Sequence, residues 1–256
     1  MFIDTHTHLF SEAFNEDRTE VVKRAVANGI TQLLLPNIDV ASIQPMFDLA
    51  AQFPNNCLPM VGLHPGSVDA DVEKDLLIIK EILYTRKEQC VAVGEIGMDL
   101  YWDKTFVAEQ KDAFRWQIKW ALELNLPIVI HSRDSMQDCI DLVREQQNGK
   151  LRGIFHCFGG TVEEAKQIID LGFLMGIGGV ITYKKSGLAE VLASIPIEQL
   201  VLETDAPAMP LAGFQGQPKT PAQLSRVFAA FCQLRPEPVA EIAQQLWRNT
   251  LQVLGD

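Results

Sequence analysis

All five histidines of the chain stand within or just past short apolar runs: His6 and His8 in Phe2–His8, His64 closing Cys57–His64, His131 closing Pro127–His131, and His156 closing Gly153–His156. Two carboxylates fall in the same kind of place, Glu95 inside Cys90–Gly97 and Asp205 at the end of Gln199–Asp205. Chance placement would scatter some of these groups onto helices and surface loops. Imidazole and carboxylate together ligate zinc, and they also hold manganese, iron or nickel. Four histidines and two carboxylates exceed what one tetrahedral ion with an open position needs. They suit two ions a few ångströms apart, with the two oxygens of Glu95 bridging them. Such a pair generates hydroxide near neutral pH and clamps an attacked phosphoryl or carbonyl group.

These residues need a scaffold that gathers distant strand ends. His6 and His8 are one residue apart, so a strand turns both to one face. Strand-like runs continue at Thr31–Pro36 and Phe173–Ile177, which with the six above makes eight. Amphipathic helical patterns lie between the early ones, near Glu16–Asn28, Ala41–Phe53, Val72–Tyr84 and Thr105–Leu124. Eight β-α units in 256 residues predict a single-domain α/β chain, a (β/α)8 TIM barrel spanning residues 1–256. In such a barrel all C-terminal strand ends meet at one mouth. A doubly wound open sheet is the alternative, but it calls for a nucleotide-binding turn after the first strand, and Asp4–His8 is none. Pro221–Leu254 reads as two helices, broken near Arg235–Pro238, that close the barrel.

Other residues carry two readings each. His64 hydrogen-bonds substrate or attacking water, or is structural beside Pro65. Arg133 follows His131 by two and either grips a phosphate as a fork or pairs with an acid at a helix start. Glu203 shares the parity of Asp205, so it either orients a ligand or pairs with Arg133. Asp4 has the parity of His6 and a similar supporting role. Gly176, Gly178 and Gly179 bind phosphate through backbone N–H groups or form a tight turn, and Lys184 or Lys185 contacts phosphate or is simply exposed. Trp102 and Phe106 stack on a base or cap a loop. Trp116, Trp120 and Trp247 read as helix-face core.

Composition narrows the classes. With 47% hydrophobic residues the chain has material for a large core. A net charge of −11 excludes binding of long nucleic acid by a broad basic face. It leaves room for a few phosphates gripped at a metal centre, because bound cations reverse the local sign. No apolar run approaches the roughly 20 residues that span a bilayer, so no membrane partner is expected. No basic stretch followed by an apolar one opens the chain, so no signal peptide is expected. Five scattered cysteines, none in Cys-x-x-Cys spacing, point to free thiols in a reducing cytoplasm.

Six segments together resemble one family over essentially the whole chain: Phe2–His8 (FIDTHTH), Gly62–Pro65 (GLHP), Val93–Leu100 (VGEIGMDL), Ile130–Arg133 (IHSR), His156–Gly159 (HCFG) and Leu202–Pro207 (LETDAP). They resemble the TatD-type metal-dependent hydrolases, described as deoxyribonucleases, within the amidohydrolase superfamily; Asp205–Pro218 is most similar to the YjjV branch. The resemblance implies two divalent metal ions per chain, with zinc first and manganese, magnesium, iron or nickel as alternatives. It implies that His6, His8, Glu95 and Asp205 hold one ion, and that Glu95, His131 and His156 hold the other. Superfamily branches bridged by a carbamylated lysine place it at this strand position, where this chain has Glu95 and no nearby lysine. The expected reaction is attack of metal-bound hydroxide on a phosphodiester of short or single-stranded DNA ends. Asp205 takes or shuttles the proton, and His64 and Arg133 position the phosphate. Hydrolysis of a small carboxyl ester, amide or lactone is a second expectation, which the acidic charge favours. A barrel that binds metal without catalysis is a third.

Overall fold

The apolar runs become eight parallel strands paired in chain order: β1 (Phe2–Asp4), β2 (Ile30–Pro36), β3 (Cys57–Val61), β4 (Ala92–Asp99), β5 (Ile128–Arg133), β6 (Gly153–Phe155), β7 (Leu174–Ile177) and β8 (Leu200–Leu202). The computed structural model describes residues 1–208, 210–213 and 220–255. Helices α1 (Arg18–Ala27), α2 (Ile43–Gln52), α3 (Val72–Thr85), α4 (Val107–Leu124), α5 (Met136–Gln146), α6 (Val162–Asp170) and α7 (Leu188–Ser194) carry the chain back between successive strands. After β8, α8 (Leu224–Cys232) and α9 (Val239–Leu254) complete the outer layer, with the break where the prolines predict it.

The sheet closes on itself, which rules out the doubly wound alternative. Thr5 donates from both its N–H and its hydroxyl to the Leu202 carbonyl, each at 3.0 Å. Asp205 N–H donates to the His6 carbonyl at 2.8 Å, and His8 N–H to the Ala206 carbonyl at 2.7 Å. Buried Asp4 adds a side-chain tie, accepting from Thr204 N–H at 2.8 Å and from the Thr204 hydroxyl at 2.5 Å.

Both faces of each strand are covered, so the strands read as continuous apolar runs rather than alternating ones. Leu33, Leu34 and Leu35 are all fully buried although their side chains alternate sides. Burial of each such side chain contributes about 1.5–3 kcal/mol. Helix ends are set locally. Thr161 and Glu164 form a reciprocal capping box at the start of α6, and left-handed Asn125 ends α4.

Two details depart from the sequence reading. Strand β1 ends at Asp4, so His6 and His8 lie just past it. Asp205, whose N–H bonds the His6 carbonyl, is left-handed with φ 56°. The chain nevertheless stays registered, with Thr7 bridging Ala206. Trp116 is half exposed rather than core, whereas Trp120 is buried. The centre of the buried stripe of α4 is polar Gln117, and Trp116 stands about 100° around the helix from it. Gln117 is buried because its amide receives Leu63 N–H at 2.7 Å, just before His64. Gln110 does the same for Asp99 N–H at 2.9 Å. Among the described residues, no helix is long and apolar enough to cross a membrane. The five cysteines form no disulfide with one another.

Candidate metal centre

Glu95 lies in the middle of β4, 2% exposed, at the mouth where the C-terminal strand ends meet. Its Oε2 is 3.1 Å from His6 Nε2 and 3.6 Å from His8 Nε2. Its Oε1 is 2.8 Å from His131 Nδ1, 3.2 Å from His156 Nε2 and 3.6 Å from His64 Nε2. His8 Nε2 is also 3.6 Å from Asp205 Oδ1. Residues dispersed from position 6 to position 205 thus share one cleft. A cavity of about 260 Å³ opens above it, lined by His131, Arg133, His156, Cys157, Val180 and Asp205 among others.

Hydrogen bonds on the far side of the His8, His156 and His64 rings settle which nitrogen faces inward. His8 Nδ1 lies 3.1 Å from the Pro36 carbonyl and must donate to it, leaving the Nε2 lone pair toward Glu95 and Asp205. His156 Nδ1 donates to Glu203 Oε1 at 3.0 Å, so that whenever this ring is neutral its Nε2 lone pair faces inward too. His64 is opposite. Its Nδ1 accepts from Gly66 N–H at 2.9 Å, so the neutral ring carries its hydrogen on inward-facing Nε2. His131 faces carboxylates on both sides, Glu95 through Nδ1 and Asp99 through Nε2 at 2.9 Å. Close backbone approach makes room for this. A Cβ on Gly97, at φ 137°, would sit 2.1 Å from the His131 carbonyl oxygen, and one on Gly176 would sit 2.1 Å from Glu203 Oε2. Gly176 therefore accommodates the Glu203 side chain.

Charge in the cleft follows from burial against pairing. Burial lowers the pKa of His8 to about 4 and that of His64 to about 3, overriding the attraction of Glu95. Burial, with the charge of His156 beside it, lowers His6 as well. Burial opposes charge on His156 too, but Glu203 and Glu95 outweigh it and raise its pKa well above the usual imidazole value. For His131 the bonds to Asp99 and Glu95 likewise win over burial and raise it. Glu95 is held well below the usual carboxylate range, its burial overcome by the surrounding imidazoles. Asp205 is raised, burial being the dominant cause.

This donor set fits divalent cations. Ligand atoms of His6, His8 and Asp205 lie within 4.8 Å of one another, as do those of His64, Glu95 and His131. His6 and His8 bring their Nε2 atoms to 3.2 Å, an arrangement in which inward lone pairs oppose each other unless a cation or proton lies between them. Nδ1 of His6 and Oε2 of Glu203 are buried without a hydrogen-bond partner.

The remaining predicted residues divide. Glu203 bonds His156 and the Cys157 N–H, at 2.6 Å, and does not pair with Arg133. Arg133 is exposed at the mouth and makes no ion pair among the described residues; its guanidinium lies 4.1 Å from the Tyr101 ring centre. Phe106 packs partly into the core, and Lys184 and Lys185 are exposed. The sequence reading missed Asp99, which shares the strand parity of Glu95 and sits inside the segment Val93–Leu100. Its Oδ2 meets His131 while its Oδ1 accepts from Tyr101 and Trp102 N–H at 2.9 and 3.1 Å.

Residues 3–255 match the model of the TatD-related DNase family. The chain belongs to the TatD family. Its TatD relatives include the Escherichia coli K12 protein named uncharacterized metal-dependent hydrolase YjjV, 37% identical over 97% of this chain and 96% of the relative. The Klebsiella pneumoniae protein named 3′-5′ ssDNA/RNA exonuclease TatD is 31% identical over 98% of this chain and 97% of its own. The crystal structure of the E. coli YjjV TatD homologue superposes with a TM-score of 0.93 at 36% identity, covering 98% and 97% of the two chains. Part of the predicted YjjV-like segment Asp205–Pro218, residues 209 and 214–218, lies outside the described residues.

Proposed function

We propose that this TatD-family chain is a metal-dependent nuclease that hydrolyses phosphodiester bonds at the ends of single-stranded DNA or RNA. The observation that carries the reading is the position of Glu95, one oxygen toward His6 and His8 and the other toward His131 and His156. His6, His8, Glu95 and Asp205 would hold one ion, and Glu95, His131 and His156 the second, with zinc favoured by the imidazole-rich set. Two such ions supply acidified water and neutralise charge on an attacked phosphoryl group.

The chain's own groups do the rest. The Nε2–H of His64 donates to a phosphate oxygen, a role its outward bond to Gly66 prepares. Asp205, raised by burial, accepts the proton lost by water and passes it on. Glu203 and the Pro36 carbonyl keep His156 and His8 in the tautomers that present lone pairs inward. Arg133, free of ion pairs among the described residues, holds a neighbouring phosphate at the rim. The K. pneumoniae relative's name supports a single-stranded nucleic acid substrate.

The test is turnover of end-labelled single-stranded DNA and RNA with zinc, manganese or magnesium, beside a panel of carboxyl esters, amides and lactones, with metal counted by elemental analysis. Strand shortening with two ions per chain supports the reading. Turnover confined to the ester and amide panel overturns it.

A further inference from the structure

Tyr101 and Trp102 are exposed, at 50% and 73%, yet they stand at the functional end of the barrel. The other large exposed apolar side chains among the described residues are Met1, Val26, Leu77, Tyr84, Trp116 and Val239. All of these lie on outer helices or at the chain start. Exposing an indole beside a charged cleft leaves its apolar face in water, where a flat partner would cover it.

The aromatic pair is held in place. The rings of Tyr101 and Trp102 meet edge to face with centroids 4.8 Å apart. The Arg133 guanidinium lies 4.1 Å from the Tyr101 centroid and 5.3 Å from the Trp102 centroid. Asp99 fixes the backbone beneath, accepting from both N–H groups with one oxygen while the other meets His131. Leu100 N–H donates to the Arg133 carbonyl at 2.9 Å, tying the same turn to β5. One carboxylate thus sets the aromatic turn relative to His131. A second, narrow cleft of about 50 Å³ runs beside Trp102, between it and the Pro65–Gly66 turn that carries His64.

We infer that Tyr101, Trp102 and Arg133 form a nucleobase platform at the rim, Trp102 stacking on a base while Arg133, kept flat against Tyr101, takes the adjoining phosphate. The inference deepens the nuclease reading and rests on it for the substrate class. Every base has an apolar face, so such a platform reads single strands without regard to sequence. It also explains how an acidic chain without a basic groove retains a polyanion: one base stack and one arginine act beside the cleft.

The experiment uses the full chain and measures binding and turnover separately. Fluorescence anisotropy gives the affinity for a labelled oligothymidylate and for an abasic backbone of the same length. The wild type binds the base-bearing strand more tightly than the abasic one, and in Trp102→Ala that preference falls by about tenfold, as loss of one stacked base predicts. Trp102→Phe, which keeps a ring, restores most of the preference. Equal affinity of the wild type for the two strands, or an unchanged preference in Trp102→Ala, overturns the platform even if the enzyme cleaves DNA. A base preference that Trp102→Ala removes, in a protein that cleaves no oligonucleotide, keeps the platform and overturns the nuclease reading.

Discussion

Glu203 Oε1 lies 3.0 Å from His156 Nδ1, on the side of the ring away from Glu95. This carboxylate is fully buried and reaches His156 through the space that Gly176 leaves by having no side chain. It therefore governs His156 without entering the cleft. Glu203→Gln keeps the shape and removes the charge. Metal affinity should fall about 10- to 100-fold, the usual effect of losing a partner behind a ligating histidine. Competition with a chromophoric chelator measures it. Gly176→Ala should give a similar loss, because its methyl would meet Glu203 Oε2 at 2.1 Å.

Glu95→Gln replaces the one side chain that faces His6, His8, His131 and His156 together. Turnover should drop below detection, and elemental analysis should find fewer than two ions per chain. Full activity in this variant would end the two-ion assignment.

Removing metal should inactivate the chain and also soften it. Ligand present at a hundredfold over its dissociation constant stabilises the folded state by about 3 kcal/mol. For a chain of this size that is a melting shift of about 5–10 °C. Scanning calorimetry with a chelator, then with zinc or manganese restored, reads both the loss and its reversal alongside activity.

Asp4 carries a stability effect with a defined sign. Burial raises its pKa from 3.8 to about 7, against the bonds from Thr204. Folding therefore takes up a proton at this site between those values. Its contribution is complete below about pH 3.8 and is lost as pH rises through about 7. Urea midpoints in chelator between pH 5 and pH 8 should show Asp4→Asn declining less steeply than the wild type. Parallel profiles would show that Asp4 does not titrate there.

Much of this was legible beforehand because a barrel writes itself as uninterrupted apolar runs, and because this chain keeps all its histidines at the ends of such runs. Strand β4 reached Asp99, however, two residues beyond the run Cys90–Gly97. Only a strand that long turns the Asp99 carboxylate toward His131. Gln110 and Gln117, polar by type, are buried and bonded to the backbone of Asp99 and Leu63, whereas Trp116 is half exposed, a division that residue type does not foretell. The orientation of His64 depends on one backbone N–H, that of Gly66, and no spacing of residue types announces it.

The seam between β1 and β8 joins Thr5 to Leu202 and Asp4 to Thr204, pairs 197 and 200 residues apart. During synthesis Asp205 leaves the ribosome almost two hundred residues after His6 and His8. The barrel cannot shut before then. A nascent chain consequently holds an incomplete set of donor groups around Glu95 until β8 has emerged.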